Sequence, residues 1–409
     1  MRKERKSAQQ VIQALNQVGY EAYWVGGCVR DEWLGREPKD YDVATNALPE
    51  QVQKVFSHTI PTGLQHGTVT VVIDRNPVEV TTFRVESEYK DHRRPSEVKF
   101  VRTLQEDLSR RDFTINAMAK DAEDCLYDYF GGVSDLEAGI IRTVGQPEDR
   151  FQEDALRMLR AIRFAAQFQF RLDGSTLKAI QQWKGLCVNL SVERVTAELE
   201  KMWEGARPDL GMKLLFDTGL IYDLPPFHRY ERWRRLTPLH LTYLGNRKDR
   251  IVYWAFLLWM FHTKYNQVEQ RCQALKLSRV DRLEIQTCFQ LGLGWSSLDE
   301  ISGKKLLLTY GLEAVQRGWL LAVMTETVDL DSDSITLSRL KQWWSEMPIT
   351  HLKELDLSGM DLLQAIPKKT GPWIGERLNY LLEQVALRRL ENRKDVLLKE
   401  GCYLEKRDS

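Results

Sequence analysis

The chain reads as an α+β protein, and three observations carry that expectation. Helical and extended patterns alternate over residues 1–135, strand signals give way to Ala, Leu, Arg and Glu at helical spacing from about residue 148, and breakers then punctuate the helical half. With 409 residues there is chain enough for several domains with real cores. At 43% apolar and 28% charged, the composition is that of an ordinary folded protein, neither disordered nor fibrous.

Taken in order, Val11, Ile12, Leu15 and Val18 recur on one helical face ahead of a strand at Glu21–Val25, which ends at Gly26-Gly27. A helix is expected over Val29–Leu34, a strand at Tyr41–Val43, and a helix over Val52–Phe56 behind Pro49 at a first helical position. Thr68–Ile73, Val78–Arg84 and Val98–Arg102 are rich in Val, Thr and Phe, as strands are. Beyond them the breakers Gly205–Pro208, Leu224–Pro226, Gly292–Ser297 and Lys368–Pro372 divide the helical part. Domain boundaries are expected near 140, 225 and 300.

Several function classes are disfavoured. Lys plus Arg and Asp plus Glu both total 58, so no global field draws the protein to polyanions, and any such partner is held by local patches. The apolar run Ile251–Phe261 is well short of the roughly 20 residues a bilayer span needs. The N-terminus, Met-Arg-Lys-Glu-Arg-Lys, has no apolar core of a secretory signal, so a cytoplasmic location without a membrane is expected. The 6 cysteines are far apart, without a Cys-x-x-Cys pair, and are expected as buried free thiols.

Four motifs carry chemistry. In Gly26-Gly-Cys-Val-Arg-Asp31, glycines let backbone N–H groups approach a ligand where a helix begins, so a triphosphate fits there; a structural turn with a solvated Arg30 is the alternative. In Lys39-Asp-Tyr-Asp42, residues two apart share a face roughly 7 Å apart, so Asp40 and Asp42 can hold Mg²⁺ while phosphates and water complete its octahedron. A polar strand end is the plainer alternative. Glu79 lies between Val78 and Val80, on the face opposite the valines, and meets the aspartates if the two strands pair.

The third motif is Arg110-Arg-Asp-Phe-Thr-Ile-Asn116. Arg111 can grip phosphate oxygens and Asp112 and Asn116 can bond a ribose, unless the stretch is a helix start with surface charge. The fourth, Glu153-Asp-Ala-Leu-Arg157-Met-Leu-Arg160-Ala-Ile-Arg163-Phe, is expected as one helix, with Leu156, Leu159, Ile162 and Ala166 on its apolar side. An Asp154–Arg157 ion pair and a solvated basic stripe would explain it blandly. The sharper reading is base recognition: a carboxylate accepts from an exocyclic amine and a guanidinium donates to a ring nitrogen or carbonyl. Cytosine and adenine present that order of groups; guanine and uracil reverse it.

In this order the four motifs resemble those of the class II nucleotidyltransferases. Pro61-Thr-Gly-Leu-Gln-His-Gly-Thr-Val-Thr-Val71 is similar to the corresponding stretch of bacterial CCA-adding enzymes rather than to the related poly(A) polymerases. The resemblance is good over about residues 20–170 and looser beyond, where Gly371-Pro-Trp-Ile-Gly375 looks like the family's tail. It implies a small mixed nucleotidyltransferase head (1–140), then an elongated all-α neck with a base-reading helix (141–225), a body (226–300) and a tRNA-binding tail (301–409). The implied activity is template-independent addition of C, C and A to tRNA 3′ ends from CTP and ATP.

Carried over residue by residue, the resemblance makes Asp40 and Asp42 the Mg²⁺ ligands and, with Glu79, the catalytic carboxylates. Gly27, Arg30 and Arg111 would hold the triphosphate, Asp154 and Arg157 would read the base, and Arg160 and Arg163 would complete the nucleotide site. On a straight helix Asp154 and Arg163 lie half a turn apart, so Arg163 is expected on phosphate or orienting its neighbours. Residues 85–97 correspond to the loop the family uses to switch from C to A, shortened in CC-only members. Its full length here, including Asp91-His-Arg-Arg-Pro95, favours CCA over CC addition. A poly(A) polymerase and a non-catalytic RNA-binding protein are the other rivals. For the tRNA body, Arg229, Arg232, Arg234, Arg235, Arg247, Lys248 and Arg250, interleaved with Tyr230, Trp233 and Tyr243, form either an RNA face or a solvated surface. The resemblance is also compatible with a homodimer.

Overall fold

The structure, a computed structural model, describes residues 3–86, 89–90, 94–95, 98–230, 234–246, 248–296, 298–327 and 336–408. Parts of the charged stretch (87–88, 91–93, 96–97) and of the basic segment (231–233, 247) lie outside the described residues. The chain divides into two compact units. The first is Met1–Glu231 with Leu236–Lys248 and Ala274–Lys276, and the second is Arg232–Arg235, Asp249–Gln273 and Leu277–Ser409.

The first unit opens with α1 (Lys3–Gln17), whose Ala8, Val11, Ile12 and Leu15 are buried at helical spacing. Val18, expected on the same face, lies past the helix end and is 56% exposed, because the chain turns at Gly19. Strand β1 (Ala22–Val25) leads into α2 (Gly27–Trp33), and β2 (Val43–Thr45) into α3 (Pro49–Val55). Next come β3 (Thr59–Gly63), β4 (Thr68–Ile73) and β5 (Asn76–Thr82). Strands β6 (Arg84–Glu86), β7 (Tyr89–Lys90), β8 (Arg94–Pro95) and β9 (Val98–Phe100) form two short antiparallel pairs, β6 with β9 and β7 with β8. After α4 (Leu104–Ser109) come β10 (Met118–Lys120) and β11 (Leu126–Asp128).

The main sheet has the order β11-β10-β1-β2-β5-β4-β3. Only β2 and β5 run parallel within it; the other neighbours are antiparallel. Val25, Ala44, Phe83, Leu108, Ala117 and Ala119 form one of its cores. The sequence reading did not anticipate β3, β10 or β11, since stretches such as Met-Ala-Lys are too short to show a period of two. Helices α5 (Gly132–Ala138), α6 (Pro147–Glu153) and α7 (Leu156–Phe168) follow, with β12 (Ile140–Ile141) between α5 and α6. A short strand does appear beyond residue 148: β13 (Arg171–Leu172) pairs in parallel with β12. The unit continues through α8 (Gly174–Trp183), α9 (Val192–Trp203), α10 (Pro208–Thr218) and α11 (Pro238–Asn246), and α7 packs on α9 and α10.

The second unit is helical among its described residues. In α12 (Arg250–Met260) nearly every side chain is buried, so the apolar run is a core helix, and no helix of the described residues is long and apolar enough to cross a membrane. It is followed by α13 (Val268–Ala274), α14 (Arg279–Leu293), α15 (Glu300–Tyr310), α16 (Leu312–Met324) and α17 (Leu337–Glu346). Helices α14 and α16 pack closely because Gly318 is small: a Cβ there would lie 2.5 Å from that of Leu291. A separate core of Leu357, Leu362, Leu381, Val385 and Leu397 joins α18 (Gly359–Ala365), α19 (Trp373–Ala386) and α20 (Lys394–Asp408).

Candidate active site

The parallel pairing of β2 and β5 sets Val43 opposite Val80, which brings Asp42 beside Glu79 one position earlier. Strand β2 begins at Val43 and not at Tyr41, so Asp42 as well as Asp40 precedes it. The alternation holds all the same, because Tyr41 between them is buried while both aspartates are exposed. The Tyr41 hydroxyl donates to Glu32 (2.9 Å), its ring meets Trp24 edge-on, and the Asp42 carbonyl accepts from the Val25 N–H (3.1 Å). These contacts fix the segment.

The Asp42 carboxyl is pushed up to about 6. Surrounding protein withdraws much of its hydration although its surface opens on a cleft; the charges of Asp40 and Glu79 add to this, and Arg111 opposes it. Negative charge is therefore in excess here, which suits a hard divalent cation. Among the described residues no group of three or more His, Cys, Asp or Glu side chains is arranged to hold a metal by itself. Exposed on one side of the segment, the two carboxylates of Asp40 and Asp42 are of a kind that could hold such a cation in an open site, where substrate oxygens and water would supply the remaining ligands.

Beside Asp42 lies a cavity of about 420 Å³ lined by Gly26, Gly27, Arg30, Arg111, Asp154, Arg157 and Arg160, among others. Gly26 must be glycine: its φ is 75°, and a Cβ would lie 2.6 Å from Arg111 Nη1. Arg111 is held by Asp107 (3.3 Å), a fully buried carboxylate that also accepts from Arg110 (2.8 Å) and the Arg84 backbone N–H (3.3 Å).

The third motif is not a surface helix start. Residues Asp112–Asn116 follow α4 in a buried stretch, with Phe113 bridged to Thr143 and a single 3₁₀ turn over Thr114–Asn116. Asn116 accepts from Arg30 Nη1 (2.5 Å) and donates to Asp112 (3.0 Å), whose other oxygen accepts from Arg160 Nε (2.8 Å) and Nη2 (2.5 Å). Asp112 and Asn116 therefore tie two cavity arginines together. Burial alone would raise the Asp112 carboxyl, but Arg160 and Asn116 hold it down at about 2.

The fourth motif is not one helix. Helix α6 ends at Glu153, Asp154 is extended (φ −142°, ψ 104°), and α7 begins at Leu156. Asp154 caps the new helix through Leu156 N–H (3.1 Å) and pairs with Arg194 on α9 (2.6 Å). No glycine or proline marks this break, and Asp154, a residue type favoured at helix starts, is its one local signal. Arg157 is buried, pairs with Glu153 (2.5 Å) and donates to the Arg110 carbonyl (3.1 Å). Arg163 is buried outside the cavity lining, held by Glu198 (2.5 Å) and Gln167 (2.8 Å). The solvated basic stripe is thus excluded for Arg157 and Arg163. Asp107, Phe164 and Arg194 were missed by sequence reasoning; for Arg194, forty residues from Asp154, nothing local announced the contact.

A mixed sheet that sets paired aspartates beside an arginine-lined cavity, continued into helices, defines a nucleotidyltransferase. Residues 22–142 match the poly A polymerase head domain, 169–231 the "Probable RNA and SrmB-binding site of polymerase A", and 247–400 the tRNA nucleotidyltransferase domain 2. The chain is 38% identical over 398 residues to the CCA-adding enzyme of Bacillus velezensis, covering 96% of this chain and 97% of that one. To the CCA-adding enzyme of a Geobacillus species it is 40% identical over 400 residues, covering 97% and 96%. The solved Bacillus stearothermophilus CCA-adding enzyme in complex with CTP superposes with a TM-score of 0.80 at 33% identity, covering 100% of this chain and 99% of that one. The chain belongs to the CCA-adding enzyme family of tRNA nucleotidyltransferases. Enzymes of this class use divalent metal ions.

Proposed function

We infer that the protein adds C, C and A to the 3′ end of tRNA without a nucleic-acid template, consuming CTP and ATP and releasing pyrophosphate. The carrying observation is the adjacency of Asp40, Asp42 and Glu79 to an arginine-walled cavity that also presents Asp154 and Arg157, in a chain similar over nearly its whole length to CCA-adding enzymes. The cytoplasm, where tRNA is processed, is the proposed place of action.

Asp40 and Asp42 are proposed to hold Mg²⁺, with Glu79 as the third active-site carboxylate. When bound, the ion lowers the pKa of the attacking tRNA hydroxyl and neutralises charge on the departing pyrophosphate. Arg30, Arg111 and the open backbone at Gly27 hold the triphosphate. Asp154 accepts from the exocyclic amine of cytosine or adenine, and Arg157 donates to the adjacent ring nitrogen. Arg160 completes the cavity wall, and Arg163 orients its neighbours from outside. The ranges 1–140, 141–225, 226–300 and 301–409 remain the proposed head, neck, body and tail.

The deciding experiment supplies tRNA lacking its terminal triplet with all four nucleoside triphosphates and Mg²⁺, then sequences the products. Ends reading CCA and stopping there are expected. Long A tracts, ends stopping at CC, or no incorporation would each overturn the reading.

A further inference from the structure

Arg30 and Arg160 of the cavity wall, and Arg163 behind it, share an aromatic neighbour whose role the reaction leaves unassigned. Phe164, on α7, lines the cavity yet is 4% exposed. The guanidinium carbons of Arg163, Arg160 and Arg30 lie 3.8, 5.3 and 5.4 Å from its ring centroid. These side chains reach the ring from its own helix and from α2, and Arg30 also stands 4.8 Å from the Phe168 ring. The Phe164 ring is itself braced. Phe168 stacks on it at 5.7 Å with 10° between planes, and Phe113 meets it edge-on at 5.6 Å.

Three guanidinium cations gathered this closely repel one another. Carboxylates anchor them, Asp31 for Arg30, Asp112 for Arg160, and Glu198 for Arg163 (2.5 Å) with a longer contact to Arg160 (3.7 Å). None of those anions is shared by all three, whereas the ring is. A benzene face carries a negative quadrupole that attracts cations within about 6 Å of its centroid, most of all where water is excluded. An aliphatic side chain of similar volume would fill the space without that attraction.

We propose that Phe164 is a positioning residue whose ring electrons hold Arg30 and Arg160 in place to bind nucleotide, with Arg163 braced behind them. It acts through the arginines, so triphosphate affinity depends on the ring's electron density as well as its bulk. The proposal rests on the nucleotide-site reading above and adds to it a residue that no hydrogen-bonding argument would select.

The test uses the full chain and CTP binding at equilibrium without tRNA, so that no turnover intervenes. Mono-, di- and trifluorinated phenylalanine introduced at position 164 keep the ring's shape while withdrawing its electron density stepwise. The Kd for CTP is expected to rise with each fluorine, reaching about three- to tenfold for the trifluorinated ring. The maximal rate at saturating nucleotide should change less than about twofold. Phe164→Leu should weaken binding at least as much as the trifluorinated ring; if that variant does not fold, the near-isosteric fluorinated series still decides. A flat Kd across the fluorinated series would overturn the proposal and leave Phe164 a packing residue. Arg30→Ala and Arg160→Ala, measured alongside, keep the two readings apart: unchanged CTP affinity in both would overturn the nucleotide-site assignment itself.

Discussion

Asp42 stands out among the proposed catalytic side chains, because desolvation by the surrounding protein and two neighbouring carboxylates act on it together. Its folded value of about 6 lies above the roughly 3.9 of an unfolded aspartate. The carboxyl therefore favours the folded state fully below about pH 4, and that contribution is lost as pH rises through about 6. A divalent cation competes with this proton. In the metal-free protein, NMR should show the Asp42 carboxyl titrating near pH 6, and Mg²⁺ should move the midpoint down; a metal-free midpoint near 4 would contradict the crowding described. Mutagenesis separates the roles further. Asp42→Ala should remove turnover with every nucleotide. Asp154→Ala should loosen discrimination against UTP and GTP more than it slows transfer, measured as ratios of kcat/KM. Unchanged nucleotide choice in the second variant would sink the base-reading assignment.

At the level of elements, the junction between α6 and α7 and the Asp112 relay shape the cavity. Asp154 caps α7 as well as facing the cavity, so Asp154→Ala should cost about 1 kcal/mol of stability through the lost cap alone, while Asp154→Asn retains an acceptor and loses less. Thermal melts of the two variants check this order. Asp112→Ala leaves Arg160 and Asn116 without their shared acceptor and should cost about 3 kcal/mol, read from the urea midpoint. A loss below 1 kcal/mol would show that Arg160 finds another anion at little expense. Alternation alone made part of this legible: Asp40 and Asp42 flank an inward Tyr41, and Val11, Ile12 and Leu15 mark the buried face of α1. The break at Asp154 was barely legible, since aspartate is its only local marker and the turn is held by Arg194 from another element.

Across the whole molecule, thiol accessibility is a test of how the chain packs. All 6 cysteines are free; Cys28, Cys187, Cys272 and Cys288 are buried, Cys125 is exposed and Cys402 partly so. The expectation of buried thiols therefore holds for four of them. Burial pushes Cys28 and Cys272 up to about 12 and raises Cys187 and Cys288 as well, so these thiols are protonated and shielded at neutral pH. A thiol reagent should modify Cys125 and Cys402 quickly in the native protein and the other four only on unfolding; rapid reaction of all six would contradict the two cores.

The sequence by itself determined the α+β order, the apolar faces of its helices and which residues carry charge, because periods of two and 3.6 relate neighbours along one segment. Its ordered motifs also pointed to the family to which the chain belongs. The tertiary structure alone decided that Glu79 stands beside Asp42, that Asp112 anchors Arg160, that Arg194 reaches Asp154, and that Arg30 joins Arg160 and Arg163 at Phe164. Those relations join segments far apart in the chain, and they are fixed by strand register and helix packing, which no local period records.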